Sequence, residues 1–347
     1  MVKHFFLRLA APLLIGSALF LGGCTNKAVE GNEPTPTAPS VTTNAAPAKL
    51  SIEEPPQPPE AVPSGPAARE YRIGGSLLTQ DDEFYKALKA GMQAQGDERK
   101  ISLEILSADK DLNKQINQVQ NFIAKKLDAI VVCPVDSSGL ISAVQAANNA
   151  KIPVFTADIA SKGGHVVCHV ASDNVEGGRL VGEYAGKILN GKGNVAILNL
   201  KTVTSVQDRV RGFRDALSKF PDIKIVADED VPDAKRENAV TKATNVLTAH
   251  PDLNLIFGIN DPVALGTLSA LQQANKKDIV VLGFDAVPEA QNYISSGTSP
   301  LKADAIQFPR LIGATTVDAV VKHLNGESVP AQIAVPTGLV TAESFKK

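Results

Sequence analysis

The sequence predicts an α/β protein of two doubly wound lobes, each built on a parallel sheet. Three observations lead there. Short β-branched runs alternate with helix-length amphipathic stretches along the body of the chain. The runs are almost continuously apolar, as in sheets covered on both faces. At least nine such runs occur, which is large for one open sheet and ordinary for two.

In order, the strand-like runs are Tyr71–Leu78, Ile101–Ser107, Ala129–Cys133, Val154–Ala157, Val166–Val170, Val195–Asn199, Ile223–Asp228, Leu255–Gly258 and Ile279–Gly283. The helix-length segments are Glu83–Gln95, Asp111–Lys126, Gly139–Ala150, Val175–Asn190, Ser205–Phe220, Ala234–Ala249, Val263–Ala274 and Arg310–Leu324. Ligands of such sheets sit outside the carboxyl ends of the strands. The loops that follow each strand are therefore where function is expected.

The N-terminus is excluded from that fold. Lys3 and Arg8 precede an apolar run, Ala10–Leu21, too short to span a bilayer as a mature helix. Leu21-Gly22-Gly23-Cys24 closes it. Basic start, apolar stretch and small residues make a secretory signal peptide over residues 1–23. The four-residue ending resembles a bacterial lipobox, which implies lipidation of Cys24. Two or more acyl chains suffice for stable anchoring. Residues 24–69 hold ten of the 22 prolines and almost no core-forming side chains. They read as a disordered or polyproline tether, spanning roughly 40 Å as a flexible coil.

The 347-residue chain leaves about 278 residues after position 69, enough for two lobes. A net charge of -2 without a basic patch disfavours nucleic acid. Besides Cys24 there are only Cys133 and Cys168, which make no disulfide framework. Both lie in apolar, strand-like runs.

The strand ends carry Asp82-Glu83-Phe84-Tyr85, Cys133-Pro134-Val135-Asp136 and Ala157-Asp158-Ile159. The second half adds Asp208-Arg209, Asn260-Asp261, Gly283-Phe284-Asp285 and, after the last short strand, Gln307. Planar side chains of this kind match the paired hydroxyls of a sugar. Adjacent aromatics offer a surface for its C–H faces. Each residue also has a plainer reading. Asp82, Asn260 and Asp285 could be helix caps, Phe84 and Tyr85 core, and Arg209 a solvated helix residue.

The matching stretches are then FYKALKAG (84–91), IPVFTAD (152–158), HVASDN (169–174), DRVRGF (208–213), LTAHPD (247–252), INDPVALG (259–266) and VVLGFD (280–285). On these motifs the body resembles periplasmic binding proteins of the type 1, ribose-binding class, over Tyr71–Lys347. The resemblance implies two lobes joined by a three-segment hinge that close over a sugar. It puts the crossings near Ser172–Asn174, Gln307–Pro309 and Val335–Gly338. The first lobe would take 70–172 and 308–336, the second 173–307 and 337–347. It implies a ligand set of Asp82, Phe84, Tyr85, Asp158, Arg209, Asn260, Asp285 and Gln307, with the two aromatics flanking the ring. Two positions depart from the ribose-binding pattern: Ile159 stands where it has an arginine, and Ala234 where it has an aromatic. Three carboxylates against one arginine then point to a neutral sugar or polyol and away from sugar phosphates.

The function implied is capture of such a solute, by a monomer, for the permease and ATPase of an ABC importer. The alternative is a sensor presenting its ligand to a chemoreceptor or membrane kinase. An enzyme is disfavoured by the lack of a nucleophile elbow, a P-loop or an HExxH helix. No cofactor is expected, since Gly74-Gly75 lacks dinucleotide-binding spacing. No metal is expected either: His165 and His169 share a face of one strand with Cys168 opposite, short of a tetrahedral set. A repressor of the same fold would begin with a DNA-reading helix pair in place of a lipobox.

Overall fold

The computed structural model describes residues 65–346. The signal peptide and lipidated Cys24 expected from the sequence, and nearly all of the expected tether, lie outside the described residues. The body opens with β1 (Arg72–Leu77), α1 (Glu83–Arg99), β2 (Ser102–Ser107), α2 (Leu112–Ala124), β3 (Ala129–Val132), α3 (Ile141–Asn149), β4 (Val154–Ala157) and β5 (Cys168–Ser172). Then come α4 (Asn174–Ile188), β6 (Lys192–Asn199), α5 (Thr204–Leu217), β7 (Asp222–Asp230), α6 (Arg236–Ala249), β8 (Leu255–Gly258), α7 (Asp261–Gln273), β9 (Val280–Asp285), α8 (Pro288–Ser295) and β10 (Leu301–Ile306). The chain closes with α9 (Pro309–Leu324), β11 (Gln332–Val335) and β12 (Gly338–Thr341).

Two six-stranded sheets result. One runs β11-β5-β4-β3-β1-β2 and the other β12-β10-β9-β8-β6-β7. Every pairing is parallel except β10 with β12. The central strands β3, β4 and β8 are buried at every position, as an apolar strand covered by helices must be. The doubly wound, two-lobed fold predicted from the sequence is present.

The chain passes between the sheets after β5, after β10 and between β11 and β12. These passages are tied to each other. Asp173 N–H donates to the Val335 carbonyl at 2.8 Å, and the Thr337 hydroxyl donates to the Asp173 carbonyl at 3.4 Å. The Asp173 side chain also caps α4 by accepting from Glu176 N–H.

Several boundaries differ from expectation. The strand predicted at Val166–Val170 begins at Cys168 and reaches Ser172. His165 therefore lies outside it and does not share a strand face with His169. Helix α6 starts at Arg236 and not at Ala234, because Asp233 and Ala234 both take positive φ values of 56° and 46°. Strands β10 to β12 and helix α8 are absent from the predicted segments. Cys133 and Cys168 are buried free thiols, and burial raises the pKa of both. Among the described residues, no helix is long and apolar enough to cross a membrane.

Candidate functional site

The carboxyl ends of the two sheets face one another across a cleft of about 500 Å3. All eight residues proposed from the sequence line it: Asp82, Phe84, Tyr85, Asp158, Arg209, Asn260, Asp285 and Gln307. Ile159 and Ala234 line it too.

Asp82 occupies the N-cap position of α1 but its side chain makes no capping bond. Its carboxylate pairs instead with Lys110 Nζ at 3.2 Å. Phe84 and Tyr85 form the first turn of α1. Their rings meet edge to face, with centroids 5.1 Å apart and planes at 77°. They make a corner, not the two parallel walls that flanking a ring would need.

The Tyr85 hydroxyl donates to Asp158 Oδ2 at 2.6 Å. Asp158 follows β4 with φ 65°, and its N–H donates to the Val170 carbonyl. That fixed bend turns its carboxylate into the cleft. Asp158 Oδ1 is buried without a hydrogen-bond partner. Burial raises the Asp158 pKa, while Arg209 and the Tyr85 hydroxyl pull it down.

Arg209 does not stand at a strand end. It projects from the second turn of α5 and is 5% exposed. Helix α5 can deliver it because α4 and α5 pack with almost no space between their backbones. A Cβ at Gly178 would strike the Arg209 carbonyl, and one at Gly212 the Val175 carbonyl. The guanidinium donates through Nε to Asn174 Oδ1 at 2.8 Å and through Nη1 to the Ile259 carbonyl at 2.9 Å. It lies 3.9 Å over the Phe284 ring and 3.6 Å from Asp285 Oδ1.

Asn260 caps α7, its side-chain oxygen accepting from Val263 N–H at 3.0 Å. Asp285 ends β9 with φ 117° and accepts from Gln307 Nε2 at 2.6 Å. Burial pushes the Asp285 carboxyl up to about 8 against the opposing pull of Arg209. Gln307 Oε1 is a second buried acceptor without a partner. Behind these, Asp261 and Asp304 are fully buried, and burial dominates the titration of both; the Asp304 charge adds to the rise at Asp261, while a hydrogen bond with Asp261 opposes the rise at Asp304. The Asp261 pKa is raised well above the ordinary value, and that of Asp304 to about 7.

The sequence expectation of one arginine against three carboxylates is incomplete. Lys110, Lys235 and Arg236 also line the cleft. Each is paired: Lys110 with Asp82, Lys235 with Asp233 at 3.3 Å, and Arg236 with Glu289 at 2.7 Å. Lys110 follows β2, so the rule that directs attention to strand ends reaches it. Asn174 lies in the HVASDN motif, at an expected crossing and outside the expected ligand set.

The lobes are also bonded to each other at the rims. Thr204 N–H donates to Ser137 Oγ at 3.1 Å, and Ala160 N–H donates to Thr204 Oγ1 at 3.0 Å. Lys110 Nζ donates to the Asp233 carbonyl at 3.2 Å.

Two parallel-sheet lobes with a polar cleft between their strand ends are the architecture of a solute-binding protein, and the chain belongs to the periplasmic binding protein family. A model described as periplasmic binding protein domain matches residues 73–328. The ribose import binding protein RbsB of Salmonella typhimurium is 34% identical over 281 residues, covering 81% of this chain and 94% of that protein. A xylitol-binding protein of Mycolicibacterium smegmatis is 30% identical over 267 residues, 76% of this chain and 75% of that one. Among solved structures, an ABC transporter solute-binding protein from Actinobacillus succinogenes 130z with bound D-allose superposes with a TM-score of 0.73. It is 30% identical and covers 80% of this chain and 99% of its own.

Proposed function

We propose that the protein captures a small neutral sugar or polyol between its lobes and delivers it to the permease of an ABC importer. The observation that carries this reading is the presence of buried, unpartnered acceptors, Asp158 Oδ1 and Gln307 Oε1, on residues that line one cleft. A buried acceptor left unpaired costs about 1–3 kcal/mol. Two such atoms on residues lining one space call for a ligand that brings several donors at once. Vicinal hydroxyls do so without bringing charge. The Phe84–Tyr85 corner supplies apolar contact for C–H groups, and Arg209 supplies donors from the second lobe. The ribose, xylitol and D-allose ligands in the names of the relatives are of this class.

Binding acts by favouring closure. The ligand touches both lobes only when they are together, so its binding energy shifts the population toward the closed form. The hinge consists of the passages at 172–174, 307–309 and 335–338, with lobes of 70–172 plus 308–336 and 173–307 plus 337–347. The closed surface then docks on the permease as a monomer. Lipidated Cys24 holds the body at the outside of a bacterial membrane through its tether; Cys24→Ala should move the protein from the membrane to the soluble extract. A thermal-shift panel of pentoses, hexoses and polyols tests the ligand class. A bound ligand at a hundredfold over its Kd adds about 2.7 kcal/mol of apparent stability. No shift with any member would overturn the reading.

A further inference from the structure

The loop after β2 carries two successive non-glycine residues in the left-handed region, Asp109 at φ 53° and Lys110 at φ 62°. Across the cleft, Asp233 and Ala234 do the same at φ 56° and 46°. Residues with a Cβ adopt this conformation at a cost, and it persists where surrounding structure holds it. Here both strained pairs meet at one point. Lys110 Nζ stands 3.2 Å from Asp82 Oδ2 of its own lobe and 3.2 Å from the Asp233 carbonyl of the other. Its side chain is 12% exposed and lines the cleft. An ammonium has three N–H donors, and these two contacts leave one for the cleft. Ala234, beside it, has only a methyl group and leaves that edge open to a ligand.

We propose that Lys110 is both a ligand-binding residue and a latch between the two lobes at the cleft, beside the Thr204 bonds at the rim, donating one N–H to an oxygen of the bound solute. Resting on the sugar reading, this sharpens the substrate class. At the Asp82–Lys110 edge the ligand presents a hydroxyl, which can accept from the ammonium and donate to the carboxylate. Deoxygenation at that carbon would break both contacts. The lysine also provides a donor to a site that has Ile159 at the end of β4. It does so from a different loop and from the mouth of the cleft. A latch that is also a contact makes closure sensitive to the solute.

The test uses the full chain with Lys110→Met and Lys110→Arg, each checked for an unchanged melting temperature without ligand. Fluorescent pairs on Gln120→Cys and Gln272→Cys, both exposed and on different lobes, report closure. Ligand-free Lys110→Met should show a smaller closed fraction than the parent; an unchanged fraction overturns the latch. Calorimetry with D-ribose, D-allose, xylitol and glycerol follows. Whichever probe binds the parent should bind Lys110→Met at least tenfold more weakly, chiefly through faster dissociation, and Lys110→Arg should recover part of the loss. Among monodeoxy analogues of that probe, one should be indifferent to the substitution. Equal loss with all of them, or binding within twofold of the parent, overturns the ligand contact. If no probe binds the parent, the sugar reading fails, and the fluorescence result still decides the latch.

Discussion

The Tyr85 hydroxyl bonds Asp158 Oδ2 at 2.6 Å and leaves Oδ1 of the same carboxylate as a buried, unpartnered acceptor. One residue of the aromatic corner thus orients the carboxylate of β4, and half of that carboxylate remains for a ligand. Tyr85→Phe should keep the corner and remove the donor. A hydrogen bond to a charged group is worth about 1.5–3 kcal/mol. Sugar affinity should therefore fall roughly 10- to 100-fold, and the ligand-free melting temperature should drop too, because Asp158 Oδ2 then joins Oδ1 as a buried acceptor without a partner. Titration calorimetry checks it, and an unchanged Kd would mean that Asp158 is oriented by something else.

Arg209 is held by Asn174, the Ile259 carbonyl and the Phe284 face, so its guanidinium is fixed before any ligand arrives. Lysine cannot reproduce a planar fork that donates in several directions and stacks on a ring. Arg209→Lys should weaken sugar binding at least tenfold, and Asn174→Ala should produce part of that loss without touching the ligand. Full affinity in Arg209→Lys would place the second-lobe donor elsewhere.

The carboxyl cluster behind the site should make stability depend on pH. The Asp285 pKa is raised to about 8 and that of Asp304 to about 7, chiefly by burial. Their unfolded values are near 4. Between those limits the folded chain holds protons that the unfolded chain has released, so these groups make stability fall as pH rises from about 4 to 8. The slope is at most about 1.4 kcal/mol per pH unit for each group. Asp304→Asn keeps an acceptor for Ala286 N–H and should flatten the decline, leaving the variant more stable than the parent at pH 8. Melting curves from pH 5 to 8 decide this.

Helix packing should couple to binding. Gly178 faces the Arg209 carbonyl so closely that even a methyl group collides with backbone. Gly178→Ala must push α4 from α5, costing about 1–3 kcal/mol as overpacking does. Because α5 carries Arg209, affinity should drop together with the melting temperature. A lowered melting temperature with unchanged Kd would uncouple the two.

The sequence disclosed much of this because parallel sheets impose strong patterns. Fully buried strands such as β3, β4 and β8 must be apolar throughout, and the topology fixes which ends of them carry the cleft. Asp82, Asp158, Asn260 and Asp285 could be found by position alone. Arg209 could not, since its place depends on how α5 packs against α4. Lys110 lies at a strand end, yet in the sequence it is one lysine in a charged loop, and only the fold brings it to Asp233. The short strands β11 and β12 have four residues each, too few for a period to show. The edge-to-face meeting of Phe84 and Tyr85 follows from helix geometry and packing, which adjacency in sequence does not specify.

The central claim is that this cleft takes a neutral polyhydroxy solute, because its cations are already paired and its open buried atoms are acceptors. The most direct test is calorimetric titration of the full chain with neutral sugars and polyols and with the matching sugar phosphates, side by side. The account predicts that at least one neutral member binds with a Kd in the micromolar range or below (about −8 kcal/mol or stronger), and that its phosphate binds far more weakly. Tighter binding of any sugar phosphate than of every neutral compound would contradict it.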